Sequence, residues 1–240
     1  DKQFCTISLD SSGESLHRRG YRLSTNIAPI NEVLAAGLVM MSGWDGQCDL
    51  LDPMCGSGTI LIEAAMIACR IPPNLLRKEF GFERWKDWDE ELFDTIEQSL
   101  LKKAREFHHK IIGYDKAPSA VQKAKENITN AHLDDYIKVS RQDFFQTEKE
   151  DQDPLFMVFN PPYGERLDVE MESFYGQIGT TLKHGYPDTK ACFITSNLEG
   201  LKHVGLRHSK KIKVFNAKLE SRLVCYDMYA GSRKAKNQKS

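Results

Sequence analysis

A mostly parallel α/β sheet with helices on both faces is the fold class this sequence predicts, and three observations predict it. Short apolar runs of strand length alternate with longer stretches of helix length. The first such run leads through a glycine-bearing turn directly into a helix. The last two runs, Ile212–Phe215 and Leu223–Tyr229, follow each other with no helix between them, which is an antiparallel ending. Alternating βα units place parallel strands side by side and their helices on the two faces.

The elements follow in order. Cys48–Leu51 is the first strand, Asp52-Pro53-Met54-Cys55-Gly56-Ser57-Gly58-Thr59 the turn, and Ile60–Ala68 the helix that it opens. Glycines at 56 and 58 let the backbone bend tightly and approach a ligand. Pro72-Pro73 ends that helix, and an insertion at about 72–109 follows, rich in charge and in aromatics (Phe80, Phe82, Trp85, Trp88, Phe93), with a helix from Glu90 to His108. His108-His109 reads as a helix end, where the dipole favours cations. Ile111–Asp115 is the second strand, Ser119–Ala131 a helix, Ile137–Phe144 the third strand with its end, and Leu155–Phe159 the fourth. Ser173–His184 and Lys190–Thr195 supply the next helix and strand. Ligands of such sheets sit beyond the carboxyl ends of the strands, where Asp52, Asp115, Asp143 and Asn160 converge. Taken singly, Asp115 and Asp143 also read as strand-end or capping residues.

The turn excludes two ligand classes. A dinucleotide fingerprint needs a third glycine at position 61, which is Leu61, and a phosphate-gripping loop needs a lysine after Gly58, which is absent. Asp52 before the turn repels anions and favours an ammonium. S-Adenosylmethionine has an amino group and no phosphate. At the end of the fourth strand stands Asn160-Pro161-Pro162-Tyr163. Two prolines stop the strand and hold the chain extended. The Asn160 side-chain oxygen and the Pro161 carbonyl are then acceptors for the hydrogens of a flat amine, and Tyr163 offers a ring face on which a base can stack.

This order of motifs resembles class I S-adenosylmethionine-dependent methyltransferases, whose fold is a mostly parallel seven-stranded sheet with an antiparallel last strand. The resemblance implies that Asp52, Pro53, Met54, Cys55, Gly56, Gly58 and Thr59 cradle the methionine part of the cofactor. It implies that Asp115, with Lys116 beside it, binds the ribose, and that Asp143 and Phe144 meet the adenine. Asn160, Pro161, Pro162 and Tyr163 match the catalytic motif of the amino-methylating branch, with Asn160 also at the cofactor. The distance from the glycine turn to Asp115 far exceeds the roughly 20 residues of a compact unit, which the insertion explains.

A closer resemblance is to the THUMP-associated bacterial methyltransferases that act on guanine N2 in large-subunit ribosomal RNA. Ser8–Arg22, containing Leu16-His17-Arg18-Arg19-Gly20-Tyr21-Arg22, is similar to the family's segment between its RNA-binding and catalytic domains. Ala28-Pro29-Ile30-Asn31-Glu32-Val33-Leu34-Ala35-Ala36 resembles the helix before the glycine turn, whose start, Ala28 and Pro29, helps to bind the cofactor. Asn160 to Arg166, Asn-Pro-Pro-Tyr-Gly-Glu-Arg, matches the extended catalytic signature. The implied organisation is the end of an RNA-binding module at 1–25, the methyltransferase domain at 26–230, and a basic disordered tail at 231–240. The implied partner is RNA, 23S rRNA or a large-subunit precursor. The absence of an initial methionine and the abrupt start at Phe4–Leu9 predict a domain cut from a longer protein. The acceptor stays open from the motif alone: adenine N6 and a protein glutamine amide use the same four residues. A non-catalytic RNA-binding module and a nicotinamide oxidoreductase are the other classes, disfavoured by the intact 160–163 motif and by Leu61 respectively.

Composition agrees. The 240 residues are 40% apolar, enough for one substantial core. Six cysteines, at 5, 48, 55, 69, 192 and 225, show no metal-type pairing and no disulfide framework, which predicts a reducing cytoplasm. Neither a signal peptide nor a bilayer-length apolar run is present, so a soluble protein is expected. The net charge of −1 hides an asymmetry. Residues 199–240 carry +8 and the preceding residues −9, with Lys202, Arg207, Lys210, Lys211 and Lys213 clustered and Arg233, Lys234, Lys236 and Lys239 in the tail. Such groups neutralise phosphates, and equally make a solvated face.

Overall fold

The computed structural model describes residues 4–22, 30–162 and 168–229, and the side chains of 168 and 169 are outside that description. Ala28, Pro29, Tyr163, the rest of the signature through Arg166, and the basic tail therefore lie outside the described residues. Helix α1 (Glu32–Ser42) precedes strand β1 (Asp49–Asp52) and helix α2 (Thr59–Cys69). After helix α3 (Glu90–Leu101) come β2 (Ile111–Asp115), α4 (Pro118–Asn130), β3 (Ile137–Arg141) and β4 (Leu155–Phe159). Helix α5 (Asp168–Gly185), β5 (Thr189–Thr195), the short α6 (Gly200–His203), β6 (Lys210–Asn216) and β7 (Leu219–Asp227) complete the described elements.

Seven strands form one sheet in the order β3-β2-β1-β4-β5-β7-β6, parallel except for β7. Only β7 is reversed, so β6 runs with the others. Alternation along the central strands sorts the core into two layers. Leu50, Phe156, Val158, Cys192, Ile194, Leu223 and Cys225 face α1, α2 and α4, whereas Leu51, Met157, Phe159, Ala191, Phe193, Val224 and Tyr226 face α5 and α6. Burial on both faces is why these strands read as unbroken apolar runs. Cys192 and Cys225 oppose each other directly on β5 and β7 and form a disulfide, which corrects the expectation of none. Strand register, invisible in the spacing of the cysteines, sets that pairing.

Local chemistry fixes the ends. The Asn31 side chain accepts from the amides of Val33 and Leu34 at the start of α1, and Asp89 accepts from Leu92 N at the start of α3. Helix α3 ends at Leu101 rather than His108. The insertion packs on itself through Phe80, Phe82, Trp88 and Phe93, with ring centroids 5.1–6.1 Å apart. It also clasps the N-terminal segment: Arg77 donates to the carbonyls of Ser12, Glu14 and Ser15, and Phe82 N donates to Ser11 O.

That segment is bonded into the domain. Arg19 Nε and Nη2 each donate at 3.3 Å to the Glu63 carboxylate on α2, and Tyr21 OH donates to it at 3.2 Å. Burial pushes the Glu63 carboxyl up, opposed by the Arg19 charge. Arg22 donates to Ile30 O at 3.0 Å and to Thr59 Oγ1 at 2.7 Å, and its Nε lies 3.3 Å from Glu32 Oε1.

Candidate active site

Beyond the carboxyl ends of β1, β2, β3 and β4 lies a cavity of about 440 Å³. The turn 52–59 forms one wall. The Asp52 carboxylate, 1% exposed, accepts from Met54 N at 3.1 Å and so bends the chain out of β1. Burial drives its pKa well up, and the Asp115 charge adds to this. Cys55 is buried in the same wall, with its thiol pushed up by burial. Gly58 has φ +81° and caps α2.

Asp115 ties the next strand to this turn. Its Oδ2 accepts from Gly56 N at 3.0 Å and its Oδ1 from Ala117 N at 2.9 Å. Gly113 in β2 has to be glycine, because a Cβ there would lie 2.4 Å from Leu61 Cδ1 and 3.2 Å from Cys55 Sγ. The strand therefore passes directly beneath the turn. Asp143 accepts from Phe145 N at 3.1 Å, capping a 3-10 turn that places Phe144 and Phe145 at the cavity wall. Asp143 thus caps its turn and Asp115 accepts from two backbone amides, and both line the cavity as well.

Asn160 follows β4 into the cavity, and Pro162 lines it beside Phe174 of α5. The Asn160 Oδ1 is buried with no hydrogen-bond partner among the described residues. An unpaired buried acceptor is costly and marks a place for a donor to bind. Lys116 is the one cationic side chain in the described lining, against the carboxylates of Asp52, Asp115 and Asp143. That set of acceptors fits a ligand offering an ammonium, hydroxyls and an amine, with apolar walls at Ile60, Ala120, Phe144 and Phe145. Among the described residues no group of His, Cys, Asp and Glu could hold a metal ion. No helix among them is long and apolar enough to cross a membrane.

Of the residues expected at the site, Asp52, Pro53, Met54, Cys55, Gly56, Thr59, Asp115, Lys116, Asp143, Phe144, Asn160 and Pro162 line this cavity. Pro161 is buried at its edge of the chain turn. Gly58 does not line it. A Cβ at 58 would lie 3.3 Å from Ala124 Cβ on α4, so this glycine serves the left-handed turn and close helix packing.

Residues 19–224 match the family model described as "RMKL-like, methyltransferase domain". The chain belongs to this family. A "Ribosomal RNA large subunit methyltransferase K/L" of Cellvibrio japonicus (strain Ueda107) is 41% identical over 242 residues, covering 95% of this chain and 32% of that protein. The chain thus spans about a third of the length of such curated relatives. The crystal structure of SMU.472 complexed with SAH superposes with a TM-score of 0.84 at 30% identity, over 93% of this chain and 58% of that one. A possible methylase from Clostridium difficile 630 superposes with a TM-score of 0.84 at 36% identity, over 93% and 59%.

In this RMKL-like domain several contributors escape motif reading. Gln142, Phe145, Ser119, Ala120 and Phe174 line the cavity without belonging to a motif. Asn127, fully buried on α4, donates from Nδ2 to Ser57 O at 3.0 Å and braces the glycine turn from behind. Its signal was a polar residue on the apolar stripe Ala120, Val121, Ala124, Ile128. Arg22 braces the other side through Thr59 and Ile30, both in the lining.

Proposed function

We propose that this RMKL-like domain methylates an exocyclic amino group of a nucleobase from S-adenosylmethionine, with guanine N2 of 23S ribosomal RNA as the acceptor. The observation that carries the reading is the buried Asn160 Oδ1 at the end of β4, without a hydrogen-bond partner among the described residues, on a residue that lines the cavity together with the carboxylates of Asp52, Asp115 and Asp143. The names of the curated relatives support the ribosomal RNA acceptor. The likeness of 160–166 to the guanine-N2 signature supports guanine over adenine.

Within this reading, bound S-adenosylmethionine supplies an electrophilic methyl group. Asp52 would take the ammonium end, whose opposite charge favours the carboxylate form. Asp115 would accept from the ribose hydroxyls while the Gly56 and Ala117 amides, which donate to its carboxylate, hold it still. Asp143 and Phe144 meet the adenine edge and face. Asn160 Oδ1 and the Pro161 carbonyl accept the two hydrogens of the target amine, which turns its lone pair away from the aromatic ring and toward the methyl group. An amide cannot take the departing proton, which leaves to water. The gain is therefore one of orientation and electrostatics. A paired guanine has to leave its stack first, and Tyr163 provides a ring to receive it.

The test is tritiated methyl transfer to unmodified large-subunit rRNA, followed by nucleoside analysis. N2-methylguanosine is expected; N6-methyladenosine, or methyl only on protein, overturns the acceptor. Asn160→Ala should lower transfer by about 10²–10³-fold, the scale of one lost positioning group, while cofactor affinity measured by calorimetry stays within about twofold. An active mutant refutes the role.

A further inference from the structure

The sheet topology carries the basic cluster of the C-terminal third to a specific place. Strand β6 runs parallel to β5, so the β6–β7 turn lies at the carboxyl end of the sheet, the end that holds the cavity and Asn160. Between Arg207 and Arg222 the chain carries six basic residues and one acid, Glu220. Lys213 and Phe215 share one face of the hairpin with their cross-strand partners Arg222 and Glu220. Those positions alternate with Val214 and Leu223 of the opposite core layer, so they lie on the α5 and α6 side, the side onto which the chain turns after Asn160.

Phe215 is the anomaly in this group. An aromatic ring 58% exposed at the tip of an edge hairpin makes little contribution to the core. It is nonetheless held in position. Lys213 Nζ sits 5.2 Å from its ring centroid and is bonded to Glu220 at 2.6 Å, and Glu220 also accepts from Arg222 at 2.7 Å. The Glu220 carboxyl is held below the usual range by Lys213 and Arg222. Lys218 stands exposed in the turn itself. A fixed ring face flanked by cations is what single-stranded nucleic acid uses: the ring stacks one base and the cations meet phosphates.

We infer that the β6–β7 hairpin is a single-stranded RNA contact, with Phe215 stacking an unpaired base next to the target and Lys213, Lys218 and Arg222 facing its flanking phosphates. This rests on the RNA reading above and adds where the strand lies relative to the cavity.

The test uses the 240-residue chain and a fluorescent single-stranded RNA of a dozen nucleotides, read by anisotropy, with methyl transfer to unmodified large-subunit rRNA in parallel. Phe215→Ala should weaken RNA binding about tenfold and raise the rRNA KM by a similar factor, and Phe215→Trp should restore both. Lys218→Ala should lower the slope of log affinity against log salt by about one. Cofactor affinity should not change in any of the three, which also reports that they fold. If the parent chain methylates rRNA and Phe215→Ala matches it in both RNA readouts, the hairpin contact is wrong and the proposed function stands. If the parent chain binds cofactor but neither binds nor methylates RNA, both fall.

Discussion

Removing Arg19 from its buried pair should unlock the N-terminal segment from α2, and the size of the effect follows from the geometry. Glu63 is 1% exposed and accepts three hydrogen bonds, two from Arg19 and one from Tyr21. Arg19→Met keeps much of the side-chain volume but leaves the carboxylate with the Tyr21 hydroxyl alone. Stranding one partner of a buried pair costs about 3–5 kcal/mol. With a urea slope of about 3 kcal/mol/M, the unfolding midpoint should fall by about 1 to 1.7 M. The loss should also depend on pH. The Glu63 carboxyl is already raised by burial despite the pull of Arg19, and loses that pull in the variant. A group raised in the folded state adds stability below its unfolded pKa and loses it as pH rises through the folded one. The destabilisation should therefore be smallest in acid and grow toward neutral pH and above. The double variant Arg19→Met, Glu63→Leu removes both charges and should recover most of the loss. A shift below about 0.3 M, or a double variant no more stable than the single one, refutes the account of the segment as locked by this pair.

Three further outcomes are expected. Asp115→Ala removes the acceptor of the Gly56 and Ala117 amides along with the proposed ribose contact, and should weaken cofactor binding by about ten- to a hundredfold in calorimetry; unchanged affinity rejects the proposed role. Arg22→Ala frees Thr59 Oγ1 and Ile30 O, and should raise the cofactor KM about tenfold with kcat nearly constant, whereas an equal loss in kcat would place Arg22 in the chemistry. Asp52→Asn should melt like the parent protein in acid. As pH rises through the elevated Asp52 pKa the parent alone must ionise a buried carboxyl and loses stability, so the variant should melt higher there without cofactor. Coincident melting curves at all pH values would show that the carboxyl is not buried as described.

The sheet was legible because the strands carry strong local signals. Leu155–Phe159 is apolar throughout and ends at two prolines, and Ile111–Asp115 ends on a charge beside a helix that starts with Pro118. The site was legible where spacing is local, as in 52–59 and 160–162, and these segments meet in one cavity. What escaped depends on tertiary approach. The start of β7 at Leu219 is hidden by the polar run Glu220, Ser221, Arg222, since that end is an exposed hairpin. Asn127 and Arg22 act on the turn from 70 and 37 residues away in sequence, so no window contains both ends of either bond. The role of Gly58 could not be read either, because Ala124 belongs to a helix beyond the insertion.

The single reversed strand also sets which pole of the molecule the chain leaves from. Strand β7 starts beside Thr195 at the cavity end and finishes opposite Lys190 at the other, with Met228 N donating to Thr189 O at 2.8 Å. Nine residues at about 3.3 Å each carry the backbone about 30 Å away from the cleft. A fluorophore attached at Tyr229 therefore sits toward the far pole, whereas one attached at Arg18 lies beside the Arg19–Glu63 pair on α2.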